Sequence, residues 1–368
     1  MKKIKLIQVI ADSAVGGGPK HLLGILKHIE KSKFDILLIA PRGWLTREAT
    51  KIAGVKVQVI DFKSKFDLAS LTKLKKNIAE FRSSFDPFGP IFIHAHGPRA
   101  GWFCRFAVRS GERFFYTEHL WNEDFELANF ANDFFQKRGL KLICRRADKV
   151  IAVSKSVEKF LAGGICDSKK IVVIPNGVEI VEGKKNADEN QKEIIIGTIG
   201  ALNKQKGQIY LVRVMPRILQ SFPRARLEII GEGPERKNLA AEIDRLGLES
   251  KIQLLGRQNQ PEKFLKTWKV FVLPSLSETF GITILESFQA EVPVVASNVG
   301  GVGEIIKNNE NGILVSPADS DRLAKAIMLI LTEKKLRDLV IKSALVSLKT
   351  NYDWNKIITD LEKIYLSN

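Results

Sequence analysis

The feature that most limits the fold is an alternation, run through twice, of short β-branched stretches with longer stretches of helical period. In the first half the strand-like runs are 4–10, 34–40, 55–60, 91–95, 113–117, 149–153 and 170–174. Between them, residues 68–85 place Leu71, Leu74, Ile78, Phe81 and Phe85 three or four apart, which makes one helix face. Residues 182–193, EGKKNADENQKE, carry no large apolar side chain and read as an exposed linker. The alternation then restarts at 194–199, 226–230, 251–254, 270–273, 293–297 and 312–315. Strands that alternate with helices pair in parallel, because the crossover helices must cover both faces of the sheet. We therefore expect an α/β chain of two doubly wound, Rossmann-like domains, 1–180 and 194–350, joined by a linker at 181–193. Such sheets bind ligands at the carboxyl ends of their strands, so a cleft between the domains is the expected site. Residues 351–368 include an amphipathic stretch with Trp354, Ile357, Ile358, Leu361 and Tyr365, expected to pack back toward the first domain.

Composition narrows the class. With 45% hydrophobic and 27% charged residues, the 368-residue chain has material for a real core and is not a disordered one. Cys104, Cys144 and Cys166 are too few and scattered for a disulfide framework or a zinc ribbon, and fit a reducing cytoplasm. No apolar run reaches the ~18 residues of a membrane span. The opening apolar stretch is interrupted by Gln8 and closed by Asp12, against a signal peptide. The net charge is +17, and residues 1–180 carry 31 basic against 18 acidic side chains. That half is expected to meet an anion: a phosphate-bearing substrate, an anionic membrane or nucleic acid. Basic residues gather at Arg105, Arg109 and Arg113, and again at Lys137, Arg138, Lys141, Arg145 and Arg146, near Phe130, Phe134 and Phe135. No nucleic-acid recognition module accompanies them, so nucleic acid is not an expected partner.

Three motifs carry chemistry. Gly16-Gly17-Gly18-Pro19 lies between the first strand and first helix, where a glycine backbone approaches a ligand closely and free helix-start N–H groups attract phosphate. Its order is not G-x-G-x-x-G, which weakens a hydride-transfer reading. Gly200–Gly207, GALNKQKG, puts Lys206 at a strand-to-helix junction without the Lys-Ser/Thr pair of a Walker loop. Glu278 and Glu286 are eight residues apart, Glu278 in a loop after a strand and Glu286 in the first turns of an apolar helix. A carboxylate in so apolar a setting needs partners, and sugar hydroxyls donate hydrogen bonds to it. Asp319-x-Asp321 follows Pro317 at a helix start and reads as a cap rather than a metal motif. His94-x-His96 has no evident third ligand, and His21 and His28 read as structural residues of the first helix.

Together with HAHGPRAG (94–101), TEH (117–119), ADKVIAVSKS (147–156), IPNGVE (174–179), GEGPE (231–235) and PVVASNVGGVGEII (293–306), these motifs resemble the retaining GT-B glycosyltransferases, and among them glycosyltransferase family 4. The resemblance runs over nearly the whole chain. It implies a metal-independent hexosyltransferase that moves a sugar from a nucleotide-diphosphate donor, UDP by preference, and that needs no cofactor. It implies that Glu286 holds the ribose and Glu278 the donor-sugar hydroxyls. Backbone N–H groups of Thr279, Phe280 and Gly281, with those of Gly17 and Gly18, would cradle the diphosphate, and Lys206 would pair with it. His119 would sit beside the transferred sugar, and the backbone near Arg257 would meet the base. The implied acceptor is a glycan or lipid-linked molecule of cell-surface polysaccharide, lipopolysaccharide or glycolipid synthesis. The implied location is cytoplasmic, peripheral on the inner face of the plasma membrane. Two departures stand out. Ala201 occupies the place of an arginine that clamps the diphosphate, leaving Lys204 or Arg257 to compensate. Glu291 replaces a common glycine before Val292-Pro293, so that turn must differ or carry strain. A nucleotide-sugar epimerase of similar architecture, or a weakly active relative, remains a second reading.

Overall fold

The structure, a computed structural model, describes residues 3–64, 67–84, 89–121, 130–180 and 193–367. It divides into two compact units, Met1–Gly177 with Trp354–Asn368, and Val178–Asp353. Residues 181–192 of the expected linker lie outside the described residues, as does Phe85.

The first unit holds strands β1 (Ile4–Ile10), β2 (Phe34–Ala40), β3 (Val55–Val59), β4 (Ile91–His96), β5 (Arg113–Glu118), β6 (Lys149–Ala152) and β7 (Ile171–Val173). They form one parallel sheet in the order β3-β2-β1-β4-β5-β6-β7. The second unit holds β8 (Ile194–Ile199), β9 (Ala225–Ile230), β10 (Ile252–Gly256), β11 (Val270–Leu273), β12 (Val294–Ser297) and β13 (Ile313–Val315). These run parallel in the order β10-β9-β8-β11-β12-β13. Both sheets are doubly wound. The order in which the chain adds strands reverses between β1 and β4 in one and between β8 and β11 in the other, the switch points at whose strand ends such sheets bind ligands.

Every residue of β1 is buried, as a central parallel strand covered on both faces must be. Two of its polar side chains are therefore accounted for internally. Lys5 Nζ donates to the carbonyl of Arg82 at 2.5 Å, and Gln8 Nε2 donates to the Tyr365 hydroxyl at 3.1 Å. Tyr365 belongs to the helix Trp354–Leu366, whose Trp354, Ile357, Ile358 and Leu361 join Leu22, Leu26, Phe34 and Phe115 in the first unit's core. Trp354 is the tightest of these contacts. A Cβ on Gly24 would lie 1.9 Å from its ring, and one on Gly177 would lie 2.7 Å away.

Several local expectations are settled by geometry. Asp319 caps the helix Ser320–Thr332, its side chain accepting from Arg322 N at 2.9 Å. Glu291 adopts a left-handed φ of 58°, a conformation that costs an L-residue roughly 1–2 kcal/mol. Arg113 is not part of a free basic surface. Its guanidinium lies over Phe92 and Phe115 and donates to the carbonyls of Tyr365 and Ser367, so it ties down the end of the closing helix. Among the described residues no helix is long and apolar enough to cross a membrane.

Candidate active site

In the second unit, the candidate residues converge on the switch point. After β8 the chain makes a short 3-10 turn, Lys204–Lys206, held by Asn203, whose side chain accepts from Lys206 N at 3.1 Å. Gly207 follows with φ 61°, and a Cβ there would lie 2.1 Å from the carbonyl oxygen of Pro274. Only glycine permits both the left-handed turn and this approach, and the approach brings the β8 loop against the loop that leaves β11. The result is an ion pair across 72 residues of sequence, Lys206 Nζ donating to Glu278 Oε2. Both side chains are largely withdrawn from solvent, at 25% and 11% exposure, so the pair is less screened than a surface one.

Thr279, Phe280 and Gly281 continue from Glu278 into the helix Ile282–Gln289, with Gly281 as its N-cap at φ 98°. Phe280 is buried and meets Tyr352 edge-on, ring centroids 6.0 Å apart, and the Glu278 carbonyl accepts from Gly301 N at 3.1 Å. These contacts fix the loop, so the N–H groups at the helix start are held in place. Glu286 lies on that helix, half-buried, with its Oε2 enclosed. Arg257 is exposed at the end of the edge strand β10, two strands from β8, and Ala201 is exposed on the β8 loop. Lys206 was expected to pair with a diphosphate; in the structure its ammonium pairs with Glu278.

In the first unit, Gly17 and Gly18 open the helix Gly17–His28, and a Cβ on Gly18 would lie 3.8 Å from the His119 ring. His119 follows β5. Its position is set by Glu118, which sequence reasoning passed over within the TEH motif. The buried Glu118 carboxylate accepts from the Tyr116 hydroxyl at 2.5 Å, from Leu120 N at 2.7 Å and from Trp121 N at 3.3 Å. Burial pushes its pKa up to about 6 against the opposing pull of these donors. Burial lowers that of His119 to about 4, so the imidazole is neutral at pH 7.

The histidine expectations need correction. His94-x-His96 is not isolated from other histidines: His21 and His119 both reach His96, with ring centroids at 5.8 and 5.6 Å. His21, from the first helix, and His119, after β5, are brought there by the reversal of strand order, which no local spacing reveals.

Comparison with known proteins agrees with this fold. The family model for glycosyl transferases group 1 matches residues 181–345, and the model for glycosyltransferase family 4 matches residues 15–182. An uncharacterized glycosyltransferase of Methanocaldococcus jannaschii is 33% identical over 232 residues, 59% of this chain and 59% of that protein. The capsular polysaccharide biosynthesis glycosyltransferase CapM of Staphylococcus aureus is 24% identical over 93% of this chain and 92% of its own. The matched stretch spans less than two thirds of the length of the first curated relatives. Among solved structures, Anabaena HepE in complex with UDP and glucose superposes with a TM-score of 0.83 at 21% identity, covering 98% of this chain and 99% of that one. Sucrose-phosphate synthase from Thermosynechococcus elongatus gives 0.82 at 19%, covering 98% of each chain. With two parallel α/β sheets and family matches that together run from residue 15 to 345, the chain belongs to the GT-B glycosyltransferases of the group 1, family 4 type.

Proposed function

We propose that this protein is a retaining, metal-independent hexosyltransferase that moves a sugar from a UDP-sugar to a glycan or lipid-linked acceptor in cell-surface polysaccharide or glycolipid synthesis. The observation that carries the reading is the Lys206–Glu278 pair at the β8/β11 switch point, beside an ordered helix start and followed by Glu286. UDP is chosen because HepE, of the same fold, is seen with UDP and with UDP-glucose.

Breaking a glycosyl–phosphate bond puts growing negative charge on the departing diphosphate. Lys206 and the N–H groups of Thr279, Phe280 and Gly281 offer fixed positive charge and dipoles to that anion. Glu278 accepts hydrogen bonds from the sugar hydroxyls while it holds the Lys206 ammonium in place. Glu286 takes the ribose hydroxyls. His119, neutral and set by Glu118, is assigned to the transferred sugar. The acceptor hydroxyl attacks from the face the phosphate leaves and the phosphate takes its proton, so configuration is retained without a general-base pair.

A thermal-shift panel of UDP, GDP and ADP sugars tests this. At a concentration of about 100 Kd the fitting donor stabilises by about 2.7 kcal/mol and raises Tm by roughly 5–10 °C. Glu286→Ala removes the shift. A panel in which no nucleotide sugar moves Tm sinks the reading. Conversion of donor without acceptor would instead identify an epimerase.

On the acceptor side, Phe134 and Phe135 stand 53% and 70% exposed on the helix Phe130–Arg146, beside Lys137, Arg138 and Lys141. The side chain of Phe130 lies outside the described residues. Exposed rings next to ammonium and guanidinium groups suit an anionic bilayer surface. We expect co-sedimentation with liposomes to rise with anionic lipid content and fall with salt; binding indifferent to both overturns this assignment.

A further inference from the structure

The chain has five histidines, and four of them gather where β1, β4 and β5 end, although the transfer reaction uses only His119. His21 and His96 are each 2% exposed. One ring nitrogen from each of His21, His96 and His119 falls within 4.8 Å of the other two.

The hydrogen bonds around the cluster sort its members. Gln8 donates through Nε2 to Tyr365, so its Oε1 accepts from His96 Nε2 at 2.8 Å. That leaves His96 Nδ1 with a lone pair, 3.3 Å from His119 Nε2. His94 is excluded, because Nδ1 meets the Tyr365 hydroxyl at 2.5 Å and Nε2 meets Thr117 Oγ1 at 2.7 Å. His21 Nδ1 is enclosed and has no hydrogen-bond partner, which is costly for a polar nitrogen. Asn176 stands within reach of the His21 ring, and its Oδ1 is also enclosed without a hydrogen bond of good geometry.

These are the features of a three-imidazole cation site. With metal–nitrogen bonds of about 2.0–2.1 Å, neighbouring ligands of a tetrahedral ion lie about 3.3 Å apart. The His96–His119 pair already has that spacing. His21 needs an approach of about 1.5 Å at most to reach the same edge length, a shift within reach of a ring rotation. Gln8 supplies His96 with the outer hydrogen bond that orients a ligating imidazole. Burial and the neighbouring rings hold His21 and His96 neutral, the form that ligates. An all-imidazole donor set with no carboxylate favours zinc, copper or nickel over magnesium or calcium.

We propose that His21, His96 and His119 bind one zinc-class divalent cation, and that the ion holds His119 away from the donor sugar, making it an inhibitor of transfer rather than a cofactor. The binding half stands on the geometry alone; the inhibitory half rests on the function proposed above.

The test uses the untagged full chain after chelation and dialysis, titrated with Co²⁺ and followed by absorption. One equivalent is expected to produce the intense visible bands of four-coordinate cobalt, and Zn²⁺ to bleach them. His21→Gln and His96→Gln should each weaken binding at least about 10-fold, as loss of even an outer-shell partner does. His28→Gln should bind as the parent chain does. If His21→Gln fails to fold by circular dichroism, His119→Gln, at a partly buried loop position, takes its place in the titration. Absence of four-coordinate bands, or equal binding by the parent and the ligand variants, overturns the proposal. Where transfer is measurable, Zn²⁺ should slow the parent enzyme and lose that effect in His21→Gln; equal inhibition of both removes the inhibitory half and leaves the binding result to stand by itself.

Discussion

Lys206→Met lowers the turnover of sugar transfer about 10²- to 10³-fold at saturating donor, the range seen when one fixed donor to a developing anion is removed. In the proposed reaction the ammonium is worth more in the transition state than in the bound ground state, because charge on the diphosphate rises as the glycosyl bond breaks. Donor affinity should therefore fall much less than turnover. The substitution has a second effect. Glu278 loses its cation while 89% withdrawn from solvent, since its side chain is 11% exposed, and an enclosed carboxylate without its cation is destabilised. Lys206→Met with Glu278→Gln separates the two contributions. The double variant is expected to recover the stability lost through the unneutralised carboxylate but not the turnover. Steady-state kinetics within threefold of the parent for Lys206→Met would remove this residue from the chemistry.

Trp354→Ala destabilises the first unit by about 3–5 kcal/mol, the usual range for deleting a large buried aromatic. The upper end applies here because the neighbours cannot refill the space. The ring presses on Gly24 and Gly177, which have no side chains to move inward. On another side it stacks on His28 at 5.7 Å and 11°. His21 lies 5.7 Å away at 47°. Denaturant unfolding should resolve two transitions in the variant, since the second unit, Val178–Asp353, has its own core and loses nothing. Loss confined to the second unit, or below 1 kcal/mol, contradicts this account of the packing.

Most of the fold was legible because buried parallel strands are written as short apolar runs. β1, β2, β8 and β11 begin and end where the sequence placed them, and the other strands shift by one or two residues at one or both ends. Glu278 in its loop and Glu286 on the following helix were also local reading, since a strand, a turn and a glycine cap follow one another directly. What escaped was produced by topology. The Lys206–Glu278 pairing depends on β8 and β11 being neighbours. The meeting of His21, His96 and His119 depends on β4 lying beside β1 and β5 beside β4. Arg113 looked like surface charge because the carbonyls it serves lie 252 and 254 residues away in sequence. Glu118 was overlooked for a different reason: besides the Tyr116 hydroxyl its partners are the backbone N–H groups of Leu120 and Trp121, which leave no side-chain signature.

The helix Trp354–Leu366 is made 177 residues after Gly177, yet it finishes the core of the unit that begins the chain. At a synthesis rate of about 5–20 residues per second, the nascent protein waits on the order of 10–35 seconds with that apolar groove uncovered. A chaperone that shields such a groove would have a defined window in which to act. Damage to the closing helix would then register as misfolding of a sheet made much earlier in synthesis.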